Sequence, residues 1–222
     1  MKYTSVFDIV GPSMVGPSSS HTAGAVRLGL LARRIYGRKP NWVKFTLYNS
    51  FAKTGKGHGT DKGLVGGVLG FSVNDVRIRD SFKYAKEQGI KIEFSMKEDF
   101  SKHPNSVDIK FYNESSMMVS GNSLGAGEIQ IYSINGFNVD LRGDFPTLLI
   151  IYKDQPGMIW KVTKFIQDAG INIATIHCER KDKGREASTV ICLDTMLPEE
   201  IVKKIDAVPG MYTVRSIDML EK

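Results

Sequence analysis

The chain is short of the residues that would let it build a metal centre alone. Its 222 residues include two cysteines, Cys178 and Cys192, and four histidines. There is no Cys-x-x-Cys pair and no histidine ladder, so a zinc or iron–sulfur site made unaided lacks ligands, and no metal is expected on this chain. Both cysteines stand in alternating apolar stretches, TIHCER and TVICLD, which read as buried thiols. No apolar run approaches the roughly 18 residues of a membrane span. The opening MKYTSVFDIVGPS puts Asp8 where a secretory leader needs its apolar centre, so the expectation is a cytoplasmic protein with no membrane partner. A nucleic-acid signature is missing as well. Lys and Arg outnumber Asp and Glu by 19 to 13 over residues 1–145 and stand at 11 to 11 over 146–222. The basic excess follows no aromatic stripe, helix-turn-helix or finger spacing, which points to a small anion or an acidic partner and away from nucleic acid.

What is present reads as two domains, residues 1–145 and 146–222. In the first, WVKFTLY, IKIEFSM, VDIKFY, MMVSGN, EIQIYSI and FNVDLR read as strands, the last two joined by the hairpin dipeptide Asn135-Gly136. AGAVRLGLLARRIYG and DSFKYAKEQG read as helices ending at Gly37 and Gly89. The fold class is α+β with a mainly antiparallel sheet. In the second, TLLIIYK is a strand and DQPGMIWKVTKFIQDAG a helix with Ile159, Val162, Phe165 and Ile166 on its stripe. A hairpin with a polar tip, a short helix opened by Pro198 and a last strand MYTVRSIDML complete a ferredoxin-like βαββαβ unit. Trp42 and Trp160 are expected in the core, and His103 and Asn122 in turns.

Two stretches ask for a chemical explanation. GPSSSHTAG gathers Ser18, Ser19, Ser20, His21 and Thr22 immediately before a helix, with Ser20 or Thr22 as the expected cap. Hydroxyls and an imidazole at a helix N-terminus, where N–H groups lack partners and the dipole is positive, suit a carboxylate or phosphate. KTGKGHGTDKGLVGG offers Lys56, His58, Thr60 and Asp61 among six glycines, with Thr60 or Asp61 as the cap of a glycine-dotted helix. It lacks the Gly-Lys-Ser/Thr ending of a nucleotide-binding loop.

YKDQPGMIWKV, GINIA and AVPG resemble an ACT domain, the amino-acid-sensing module of many metabolic enzymes. The resemblance implies an effector amino acid bound through Asp154, Gln155, Gly157 and Asn172, and a homodimer through this domain. Asp154 stands where serine-binding members often carry Asn, which implies weaker affinity for serine. GPSSSHTAGAVRLG, SFAKTGKGHGTDKGLVGG and GNSLGAGEIQIYSINGF, ahead of that tail, resemble the β subunit of bacterial iron–sulfur L-serine dehydratase. That resemblance implies a cysteine-rich α subunit holding a [4Fe-4S] cluster, and conversion of L-serine to pyruvate and ammonia. It further implies that His21 or His58 handles protons, while Ser18, Ser19, Ser20, Thr22, Lys56, Thr60 and Asp61 bind substrate. A purely regulatory module stays open beside it, since domains similar to residues 1–145 also occur in some phosphoglycerate dehydrogenases as sensing elements.

Overall fold

A computed structural model of the chain describes residues 15–55 and 57–221. They form two compact units, one of the described residues 15–136 with 140–142 and 221, the other of 137–139 and 143–220.

The first unit begins with a wide π-type turn, Ser19–Ala23, that runs straight into helix α1, Gly24–Tyr36. Strand β1 (Trp42–Tyr48), a short helix α2 (Asn49–Thr54), helix α3 (Thr60–Val68), a 3-10 turn (Val76–Asp80) and helix α4 (Ser81–Glu87) follow. Strands β2 (Lys91–Lys97), β3 (Ser106–Tyr112), β4 (Ser116–Gly125), β5 (Glu128–Ile134) and β6 (Phe137–Leu141) complete a sheet ordered β2-β1-β3-β4-β5-β6. Only β1 and β2 pair in parallel; β1–β3, β3–β4 and β4–β5 are antiparallel. Asn135 and Gly136 both take positive φ, 50° and 81°, the geometry that a two-residue hairpin turn requires. Alternate residues Val43, Phe45 and Leu47 of β1 and Val107, Ile109 and Phe111 of β3 point to the helices and are buried.

Helices α1 and α3 meet backbone to backbone. A Cβ on Gly67 would lie 2.1 Å from the Val26 oxygen, and one on Gly29 2.4 Å from the Leu64 oxygen. Nearer the helix starts, a Cβ on Gly63 would lie 2.9 Å from the Thr22 oxygen. The contacts advance together along both chains, Thr22 with Gly63 and then Val26 with Gly67, so the helices run in the same direction. Their N-termini therefore open at the same end.

In the second unit, β7 (Thr147–Lys153), α5 (Met158–Asp168), β8 (Ile173–Arg180), β9 (Glu186–Leu193), α6 (Glu199–Asp206) and β10 (Met211–Ile217) give a ferredoxin-like sheet ordered β10-β7-β9-β8. Leu148, Ile150 and Tyr152 of β7 pack with Met158, Val162 and Ile166 of α5 and with Ile201 and Ile205 of α6. The buried stripe of α5 is thus Met158, Val162 and Ile166 with Phe165 packed against it, so Val162, Phe165 and Ile166 lie as expected and Met158 takes the place of Ile159. Ile159 is 41% exposed and Trp160, on the outer face, 65% exposed, so Trp160 is not a core residue. Cys178 is likewise exposed, because β8 is an edge strand, and Cys192 is half-buried. No helix among the described residues is long and apolar enough to cross a membrane.

An alanine in the interior of a helix normally stabilises it by about 1 kcal/mol over glycine. At Gly67 the contact reverses that sign. Gly67→Ala is expected to lower unfolding free energy by about 1–3 kcal/mol through overpacking. Gly57→Ala, whose Cβ would meet only the Thr54 oxygen at 3.7 Å, should be tolerated. Urea denaturation of the two variants reads the difference.

Candidate functional site

The convergent ends of α1 and α3 carry the two chemistry-bearing loops. Ser18 caps the first of them: its Oγ accepts from the His21 N–H at 3.1 Å, and its oxygen accepts from the Thr22 N–H at 2.8 Å. The expected caps, Ser20 and Thr22, lie inside the π-type turn instead. The Ser20 oxygen accepts from Ser123 Oγ at 2.8 Å, which fixes the turn to β4. Among the described residues no hydrogen bond of the Ser19 or Ser20 hydroxyl is found. Thr22 is buried and donates to the His58 oxygen at 2.7 Å, tying the two loops together.

The result is a histidine pair. The rings of His21 and His58 stand 5.2 Å apart, and His21 meets the edge of Phe51 at 5.4 Å. His58 is exposed, with Nδ1 3.2 Å from the Thr54 oxygen. A carbonyl can only accept, so Nδ1 carries a proton, and in the singly protonated tautomer Nε2 is the acceptor. His21 Nε2 lies 3.2 Å from Ser50 Oγ. Burial, and then the neighbouring His58 charge, push the His21 pKa below its ordinary 6.5. At neutral pH His21 is therefore an uncharged imidazole.

The second loop differs from expectation in its cap and in Thr60. Gly59, with φ 71°, occupies the cap position of α3 without a side-chain bond. Thr60 is fully buried inside the helix, its Oγ1 without a partner among the described residues. Asp61 Oδ1 accepts from the next N–H, of Lys62, at 2.8 Å. Lys56 lies outside the described residues.

Ser50 and Asn49 are the residues that sequence reasoning missed. Asn49 takes φ 47° and exchanges bonds with Asp99, donating to its oxygen at 2.7 Å and accepting from its N–H at 2.9 Å. The Ser50 and Phe51 N–H groups donate to the Pro104 oxygen. The loop that receives them is anchored by Lys102, whose Nζ reaches Asp108 Oδ1 at 3.2 Å and the Tyr132 hydroxyl at 3.1 Å. Burial alone lowers the Lys102 pKa, but the bond to Tyr132 and the Asp108 charge outweigh it and hold the ammonium charged. Tyr48, donating to Asp108 at 2.7 Å, is pushed up to about 12, first by burial and then by that bond. His103 and Asn122 serve loop and sheet geometry: His103 Nδ1 accepts from the Asn105 N–H, and Asn122 Oδ1 from Ser106 Oγ. The one sequence signal was the Asn-Ser pair straight after β1.

In the second unit the four expected effector residues do not converge within one chain. Asp154 Oδ2 accepts from the Gly184 N–H at 3.0 Å and lies 3.5 Å from Arg180, so it closes the β8–β9 hairpin. Gln155 donates to the Pro209 oxygen at 3.2 Å, and Gly157, φ 84°, caps α5. Asn172 donates to Asp194 at 3.2 Å. Lys153 pairs with Glu186 at one end of β7 and Thr147 with Cys192 at the other, next to Asn172 and Asp194. A seven-residue strand, about 20 Å long, separates the two sets.

A sheet bearing a histidine-pair site at two glycine-packed helices, joined to an ACT-type module, defines the class. The serine dehydratase beta chain family model matches residues 5–134 and the ACT domain model residues 147–210. The chain belongs to the serine dehydratase beta chain family. It is 40% identical to a probable L-serine dehydratase beta chain of Bacillus subtilis, over 98% of this chain and 99% of that protein. It is 38% identical to the L-serine dehydratase beta chain of Peptoniphilus asaccharolyticus, over 97% and 98%. D-3-phosphoglycerate dehydrogenase of Bacillus subtilis matches at 33% over 61% of this chain and 26% of that protein.

The depressed pKa of His21 fixes the sign of a pH effect. The folded state favours the neutral ring, so the unfolded chain binds the proton first, and stability is lost as pH falls from 6.5 to the lower folded value. His21→Gln should remove part of this acid-side loss. Thermal unfolding of the full chain at neutral pH and on that acid limb measures it; equal losses in both proteins would contradict the assignment.

Proposed function

We propose that this chain is the β subunit of a heteromeric L-serine dehydratase, forming pyruvate and ammonia from L-serine. The observation that carries the reading is the pairing of His21 and His58 at two convergent helix N-termini, in a chain similar over its whole length to two such β chains. Elimination across Cα–Cβ needs a base for the Cα proton and a cradle for the carboxylate. In this reading His58 Nε2 takes the proton, since it is exposed and unspent, while His21 is held by Ser50 beside it. The hydroxyls of Ser19 and Ser20 and the two helix N-termini face the carboxylate. The C–H electron pair forms the C=C bond as the Cβ–O bond breaks, and the hydroxyl leaves as water with the proton that His58 took up, which restores His58. The enamine then tautomerises to an imine, which water hydrolyses to pyruvate and ammonia.

A [4Fe-4S] cluster belongs, in this reading, to a cysteine-rich α subunit. This chain's own donors do not fit one: among the described residues no three His, Cys, Asp or Glu side chains gather. Its two cysteines both lie in the second unit. The ACT module is read as an amino-acid sensor in which Asp154, Gln155 and Gly157 of one copy face Asn172 of a second. The exposed edge of β8 is the strand that would pair the copies. The alternative, a regulatory module without catalysis, rests on a partial likeness to phosphoglycerate dehydrogenase, and the full-length likeness to two β chains supports the dehydratase reading over it.

Iron content and serine-dependent pyruvate formation, measured anaerobically with and without the α chain, separate the two readings. The isolated chain should be iron-free and inactive, and the assembled enzyme active. In the assembly, His58→Gln should cut turnover by about 10²- to 10⁴-fold, the usual contribution of a positioned proton-transfer group. Full turnover by that variant would favour the regulatory module.

A further inference from the structure

Next to the histidine pair, with Thr22 in its lining, lies a concavity of about 280 Å³. Gly16, Thr22, Gly57, Gly59, Lys62 and Arg79 line it. The rest of its lining is apolar: Val15, Pro17 and Ile78. A Cβ on Gly16 would stand 2.5 Å from Thr22 Cγ2, and with φ at 127° only glycine fits there.

The charged members of the lining are both cations and come from different elements, Lys62 from α3 and Arg79 from the Val76–Asp80 turn. Neither makes an ion pair among the described residues. Arg77 of the same turn is by contrast committed to Asp75, 2.6 Å away, and to the Phe71 ring at 4.3 Å. The segments bearing Lys62 and Arg79 are pinned together, because the fully buried Ser81 Oγ donates to the Lys62 oxygen at 2.9 Å. Asp61 and Asp80 are near in sequence, yet neither lines the cavity. Two like charges lining one concavity, with no counter-charge in its lining among the described residues, raise the local potential, and an oxyanion relieves it.

We propose that this concavity binds a small oxyanion, a carboxylate or a phosphate, between Lys62 and Arg79 and against the Gly57–Gly59 main chain. The Thr22 hydroxyl is already donated to His58, so the two cations and the glycine backbone supply the donors. The site shares Thr22 and the Gly57–Gly59 loop with the histidine pair, but its two cations have no part in the reaction proposed above.

The test is calorimetric titration of the full chain at low ionic strength with inorganic phosphate and, separately, with acetate. One saturable site with affinity on the order of millimolar is expected, weakened by added KCl. Arg79→Gln and Lys62→Gln should each weaken it on the order of tenfold, as loss of a charge-assisted bond does, while His21→Gln leaves it unchanged. Saturation by phosphate alone or by acetate alone identifies the source. Thermal unfolding of each variant shows that it remains folded. Failure of both anions to saturate, or unchanged affinity in both folded cation variants, would overturn the proposal.

Discussion

The first unit depends on one contact, the backbone-to-backbone approach of α1 and α3 through Gly29, Gly63 and Gly67. Side chains at those positions would hold the helices roughly 8–10 Å apart, the ordinary interaxial spacing. Glycines let Val26 and Leu64 carbonyls take the place of Cβ atoms, at would-be distances of 2.1 and 2.4 Å. Because the helices are parallel, the approach draws His21, just before α1, and His58, just before α3, to 5.2 Å. The bond from Thr22 to the His58 oxygen then locks the loops at that distance. Gly24 extends the logic to the sheet: a Cβ there would stand 2.1 Å from Ser123 Oγ, the group that holds the Ser20 oxygen.

Electrostatics divides labour between the two rings. Each would, if charged, oppose the other's charge, and the more buried His21 pays more for a proton. The exposed His58 keeps Nδ1 on a carbonyl and offers Nε2. Two helix N-termini open toward the pair, a setting that favours a bound anion and opposes an imidazolium. The anchoring of Ser50 through Pro104 and, behind it, Lys102 with Asp108 and Tyr132 shows that the support of the site extends across the sheet to β5.

Most of the strands were legible, because alternation in WVKFTLY or EIQIYSI is a local signal read directly as a buried and an open face. The wide turn at Ser19–Ala23 was not, since a π-type turn and a regular first helical turn share the same residues; the cap therefore fell on Ser18. Thr60 read as a ligand group or a cap because its hydroxyl stands in a glycine-rich loop before a helix, but Gly59 takes the cap position and Thr60 is buried. Ser50 carries no signal of its own: it reaches His21 only across 29 residues of chain. In the second unit, Cys178 and Trp160 were read from apolar surroundings, whereas edge position and helical phase decide exposure. Asp154 and Asn172 illustrate the same limit, as residues near in a motif can sit at opposite ends of a strand.

The central claim is that the glycine contact makes His21 and His58 one functional unit. A double-mutant cycle on serine turnover in the assembled enzyme, with His21→Gln, His58→Gln and both together, tests it most directly. Residues acting as a unit are strongly non-additive. We expect the double variant to be little worse than the more damaged single one, a coupling of at least about 1 kcal/mol. Fully additive losses would mean that the two histidines act independently, and would contradict the account.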